Sequence, residues 1–195
     1  MHKLLLSGLI LLLPFCSLAQ RMRTTETESG MIEKGNKIGV WEYYAHTRDG
    51  RQVTVQRYDH TTGKLLFYRP IEEIMYDVEM QPGQWTRSNV DQPPLFIGGD
   101  PALAAFTTKL TYPEVAQQRN IQGKVIIAIT IDTLGHASGH KIVTHVGGGC
   151  DEEAMRVCRK IPDQWIPARK GSRAVAVVYE LPFTFRLQMP GTAAQ

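Results

Sequence analysis

His136, His140, His145 and Cys150 are side chains of the types that bind transition metals. A zinc site would need such groups to converge tetrahedrally. On a strand rising about 3.3 Å per residue, His136 and His140 point the same way but lie roughly 13 Å apart, and His145 has the opposite parity. No metal site is expected. Gly147-Gly148-Gly149 ahead of a helix has the form of a phosphate cradle. No Lys-Ser/Thr pair follows it, and Asp151, Glu152 and Glu153 would repel an anion there, so it reads as a loop. Ser138 and Ser172 have no evident His/Asp partners, and a Gly-x-Ser-x-Gly elbow is absent. A triad assembled only in space stays open on sequence grounds, but Asp132, Asp151 and Glu153 are most simply turn and cap residues. No catalytic residue, metal ligand or cofactor is assigned, and the chain is expected not to be an enzyme.

The elements that would position any site come next. The 195 residues are 43% hydrophobic and 21% charged, an ordinary composition for a folded protein. A net charge of +3 gives no reason to expect nucleic acid as partner. Residues 1–19 read as a cleaved signal peptide: a basic start at His2-Lys3, an apolar run too short to span a bilayer, and Ser17-Leu18-Ala19 before Gln20. Cys16 leaves a lipoprotein reading as the minority alternative. Export implies a periplasmic setting, or membrane association if the leader is retained. Cys150 and Cys158 fall eight positions apart on an expected helix, roughly 12 Å, too far for a disulfide to each other.

Residues 20–30 are polar and aperiodic and read as a flexible lead-in. Residues 31–86 read as a small all-β meander, with Ile38 to Tyr44 and Gln52 to Tyr58 as strands, Asp49-Gly50 as a turn, and Trp41, Tyr43 and Tyr58 as core. The segment 71–80 reads as one more strand or a short helix. Residues 87–94, with paired prolines, read as an extended linker.

Residues 95–190 read as an α+β domain of two layers. Asp100-Pro101 would start a helix whose face is Ala102, Leu103, Phe106 and Leu110, and residues 113–118 would form a short second helix. A strand at 124–132 and its hairpin partner at 137–146 follow. A helix over 151–161 has Asp151 as N-cap and a buried stripe of Ala154, Val157, Cys158 and Ile161. The third strand, 173–187, should return antiparallel to the first. The expected product is a three-stranded antiparallel sheet of order 2-1-3, packed by helices, with the third strand at an edge. Pro182 supports the edge, because a residue without an N–H is tolerated there and damaging in a central strand.

Tyr112-Pro113, Gly123-Lys124-Val125, Asp151-Glu152-Glu153-Ala154, Trp165-x-Pro167-Ala168 and Leu181-Pro182-Phe183, in that order, resemble the C-terminal domain of the TonB family over about residues 95–188. Lys37-x-Gly39-x-Trp41-x-Tyr43-Tyr44, with Asp49-Gly50 and Gly63-Lys64-Leu65, resembles a MORN-like β-hairpin repeat. The TonB resemblance implies docking onto outer-membrane TonB-dependent receptors, whose N-terminal segment adds a strand to the sheet, in support of energy-dependent transport. Carried onto this chain, the docking edge would be Arg173, Ala174, Val175, Ala176, Val177, Val178 and Tyr179, with Leu110, Thr111 and Tyr112 as neighbours. An inner-membrane proton-driven motor is the further partner the family implies. Its transducers carry a spanning helix and a Pro-rich spacer; here the MORN-like module stands in the spacer's place, so binding is expected ahead of force transduction. The alternative is a periplasmic scaffold forming a homodimer through the same edge strand.

Overall fold

The computed structural model describes residues 20–69 and 74–187; the expected leader lies outside them. The first half is a five-stranded antiparallel meander in sequential order, β1 (Arg21–Thr24), β2 (Glu28–Glu33), β3 (Asn36–His46), β4 (Gln52–Asp59) and β5 (Lys64–Tyr68). The expectation of a flexible lead-in at 20–30 is corrected: β1 and β2 form a hairpin. Thr25 Oγ1 accepts from the N–H groups of Thr27 and Glu28 across the turn, and Glu28 is paired with Lys37 on the next strand. These side-chain bonds stabilise a segment that has no hydrophobic periodicity to announce it.

Trp41 and Tyr43 are buried at the centre of the meander, at 0% and 3% exposure. The Trp41 indole N–H bonds the carbonyls of Met31 and Ile38. The Lys37 ammonium sits 4.3 Å from the Trp41 ring centroid, and the Tyr43 hydroxyl lies 2.6 Å from His60 Nε2. Burial, aided by the Lys37 charge, holds His60 below its usual 6.5, while Glu28 and Asp59 pull it back up. The unfolded chain thus takes up a proton near that pH and the folded chain only below it. The contribution of neutral His60 is complete above the unfolded value and is lost as pH falls through the folded one. His60→Gln should flatten the acid limb of a plot of melting temperature against pH, read by circular dichroism below pH 6.5.

The second half contains β6 (Tyr76–Gln81), β7 (Gln84–Ser88), β8 (Leu95–Phe96), α1 (Gly99–Thr107), α2 (Glu114–Gln118), β9 (Gly123–Ile131), β10 (Ala137–Thr144), α3 (Cys150–Cys158), β11 (Trp165–Ile166), β12 (Ala168–Lys170), β13 (Arg173–Val175) and β14 (Val177–Phe185). The expected three-stranded sheet is instead five-stranded, ordered β10-β9-β14-β6-β7. The hairpin β6–β7 comes from the segment assigned to the meander module and joins the sheet of the second half. The residues expected to form an extended linker are pinned. Asp91 and Gln92 exchange backbone bonds with Arg169, and the Asp91 carboxylate accepts from Gly171 N–H.

The sheet has one covered face. Val125, Ile127, Ile129 and Ile131 of β9, with Val177, Leu181, Phe183 and Phe185 of β14, point into one core with Leu103, Ala154, Val157 and Trp165. Val78 and Tyr76 of β6 belong to the same core. Both principal helices start one or two residues earlier than their acidic residues suggested. The N-caps are Gly98 and Gly149, not Asp100 and Asp151. Asp151 instead accepts from Val146 and Gly147 N–H and pairs with His145 at 2.9 Å, tying the glycine run to the helix.

Gln56 joins the two halves and is 1% exposed. Its Nε2 donates to the Phe96 carbonyl at 3.1 Å, and its Oε1 accepts from Gly98 N–H at 2.7 Å. Gln56→Leu would leave both backbone groups unpaired in a buried site, a loss of about 2–3 kcal/mol. The loss should appear as a lower urea midpoint.

Candidate functional site: an open strand edge

β14 pairs with β9 in continuous register from Val177↔Ile131 to Phe185↔Gly123. Backbone groups of successive strand residues point to opposite sides. The Ala176 carbonyl accepts from Glu79 N–H of β6, so even-numbered residues present N–H and C=O away from β9. The register with β6 is Val177↔Val78 and Val178↔Asp77, and there it ends. Beyond it, Glu180, Pro182 and Thr184 face outward, and no strand among the described residues pairs with that side. Pro182 lies on the outward parity, so its missing N–H costs the β9 ladder nothing. Its side chain, with those of Glu180 and Thr184, is exposed, while Leu181, Phe183 and Phe185 fill the core at 2% exposure or less.

The stretch expected to be the docking edge is bonded within the chain. Arg173, Ala174 and Val175 pair with Lys170, Arg169 and Ala168. Ala176 bonds Glu79, and Val177 and Val178 lie between β9 and β6. Tyr179 stacks on Tyr76 with centroids 6.5 Å apart and packs against Trp165 at 5.3 Å. Burial first, then the Asp100 carboxylate and Tyr76, push the Tyr179 phenol up to about 12, so it stays neutral. Displacing β6 would expose Val78 and Tyr76, at 0% and 4% exposure. That costs about 1.5–3 kcal/mol per side chain, more than the about 0.5–1.5 kcal/mol a replacement hydrogen bond returns. The open part of the edge is therefore 180–185, displaced toward the C-terminal end of the strand.

The three neighbouring positions are held within the domain. Leu110 packs on the core. Thr111 N–H donates to Glu153 Oε1 at 2.6 Å, and Glu153 also holds Arg156 through both carboxylate oxygens. The Arg156 guanidinium, with the Thr111 N–H, keeps the Glu153 carboxyl below its usual range. The Tyr112 hydroxyl donates to the Ile121 carbonyl at 2.6 Å, and its ring stands at 90° to Phe185 at 5.7 Å. Tyr112 is thus beside the far end of the open edge. An open depression of about 420 Å³ lies at that end, lined by Gln122, Gly123, Lys124, Thr184, Phe185 and Arg186.

The outer edges of β10, β5 and β1 are less suited to accept a strand. β10 carries two register irregularities, between Ser138 and Lys141 and between Ile142 and Thr144. Such bulges bend an edge away from pairing. β5 is irregular opposite Arg57 and Tyr58, and β1 has four residues. The residues that raised catalytic or metal readings do not assemble. His136 pairs loosely with Asp132 at 3.4 Å and His145 with Asp151. Among the described residues no His, Cys, Asp or Glu cluster could hold a metal ion. Cys150 and Cys158 are free, buried thiols, and burial pushes Cys158 up to about 11. A Cβ at Gly148 would lie 2.8 Å from Ile121 Cδ1 and one at Gly149 3.1 Å from Pro113 Cβ, so these two glycines are packed against the neighbouring loop. No helix of the described residues is long and apolar enough to cross a membrane.

Neither the curated proteins nor the solved structures compared with the chain gave a match. A family model does match, and it covers the loop with Thr111 and Tyr112, the sheet strands β9, β10 and β14, and the helix that carries Glu153. Residues 108–187 match the family model described as Gram-negative bacterial TonB protein C-terminal, the family that the motifs of this stretch resemble.

Proposed function

We propose that the protein is a non-enzymatic, envelope-associated binding module that takes the N-terminal segment of a TonB-dependent outer-membrane receptor as an added strand, in support of receptor-linked transport. The carrying observation is the straight, unpaired side of β14 over 180–185, set in a domain of a family that works with such receptors. Strand addition draws affinity from main-chain bonds and selectivity from the side chains flanking them. Here Glu180 and Thr184 offer both donor and acceptor, and Pro182 offers an acceptor alone. The proposed binding edge thus replaces the 173–179 stretch, whose backbone groups are already used within the chain. The meander serves as the spacer-side module, held to the domain through Gln56 and the pinned 87–94 segment.

Titration of the protein with receptor N-terminal peptides, followed by backbone amide shifts, tests the reading. Shifts should concentrate at Glu180 and Thr184. Absence of shifts along β14 would sink it. Concentration-dependent dimers with the same residues protected from exchange would assign the edge to self-association instead.

A further inference from the structure

We infer that β6 is a fixed end-stop for the docked strand, so that the partner contributes one extended segment of about six residues, roughly 20 Å, registered against the Tyr76 end of β6. This rests on the docking reading above and adds to it a length and a register set by β6.

The geometry comes from the alignment of β6 with the open edge. β6 lies on the same side of β14 that a docked strand would occupy, and it runs antiparallel to β14. Continuing its register by two steps would set Tyr76 opposite Tyr179 and Met75 opposite Glu180, but no pairing is made there. A strand added along 180–185 therefore lies end to end with β6, in one line. β6 does not yield to it, because Val78 and Tyr76 are part of the hydrophobic core and Glu79 N–H is bonded to the Ala176 carbonyl. β7 backs β6 over Tyr76↔Ser88 to Gln81↔Gln84, so moving β6 would also strip β7 from the sheet. At the other end β14 stops at Phe185, where the ladder with β9 also stops at Gly123. The open edge is thus closed at one end by backbone and limited at the other by the end of the strand. Ile74 and Met75, each 47% exposed, stand at the closed end and would meet the partner's terminal side chain. An apolar residue fits that position.

A library of random ten-residue peptides displayed on phage and selected on the purified full chain tests this whichever receptor the protein serves. The expected consensus is a contiguous block of about six positions with an apolar residue at one end. Trimming a selected peptide outside the block should change Kd less than about threefold. Amides of Glu180, Thr184 and Met75 should shift, while Val78 and Glu79 keep their protection from hydrogen exchange. A consensus running over about eight or more positions, or loss of protection at Val78 and Glu79 on binding, overturns the end-stop and leaves docking standing. Failure to select any peptide, or selection of peptides that leave Glu180 and Thr184 unshifted, overturns both.

Discussion

Thr184→Pro is expected to weaken binding of a docked peptide about tenfold or more while leaving the protein folded. Thr184 has the outward parity on β14, so its N–H makes no bond to β9, and its side chain is exposed. Proline removes that donor from the docking edge and leaves the internal ladder whole. The cost to the fold is restricted to the proline φ, about 1–2 kcal/mol. Together with Pro182, the change leaves Glu180 as the single outward donor of the open edge. Leu181→Pro is the informative contrast. Leu181 is inward, paired with Ile127 of β9, and 2% exposed. That variant loses a ladder bond and a buried side chain and should destabilise the domain by about 3 kcal/mol or more. Calorimetric titration with a receptor peptide, beside urea unfolding of each variant, reads both effects. Equal loss of binding and stability in Thr184→Pro would show that the parity assignment is wrong.

Gly135→Ala is expected to cost about 4 kcal/mol or more, placing it at the severe end for a single substitution. Gly135 closes the β9–β10 hairpin with φ +88, a conformation that L side chains rarely adopt. A Cβ there would lie 2.1 Å from the Trp165 carbonyl oxygen. That oxygen cannot move alone, because Trp165 is 6% exposed and packs edge-on against Phe96 at 5.2 Å. Gly35→Ala separates the two causes. Its φ is +83, and nothing lies within 4 Å of the added carbon, so only the conformational penalty of about 1–2 kcal/mol applies. The difference between the two melting temperatures measures the clash. Equal shifts would mean that the hairpin and the Trp165 segment relax freely past one another.

Much of the second half was legible because its signals are local. The alternation of Val125, Ile127, Ile129 and Ile131 marks a one-sided strand, and Leu103 with Phe106 marks a helix face. Pro182 carried information beyond its own position. A residue without an N–H must face away from a continuous ladder, and the structure places it on the outward parity of β14. The β1–β2 hairpin was missed because it is held by Thr25 and by the Glu28–Lys37 pair, contacts without a sequence period. The helix caps at Gly98 and Gly149 were missed for a related reason. Asp100 and Asp151 have the side chains of caps, but which residue takes the cap depends on how the preceding glycines turn.

The sequence alone determined that the chain carries a TonB-like domain after a β-rich segment and that its sheet is covered on one face, and Pro182 pointed to an edge strand. These follow from the period of side chains along a strand and from the chemistry of single residues. Only the tertiary structure decided which part of that edge is open. Tyr76-x-Val78 could have paired with any strand presenting an apolar face, and nothing local selects β14. Burial of those two side chains in the core beside Tyr179 does. That choice closes 173–179 within the chain and leaves 180–185 with no strand paired to its outer side among the described residues.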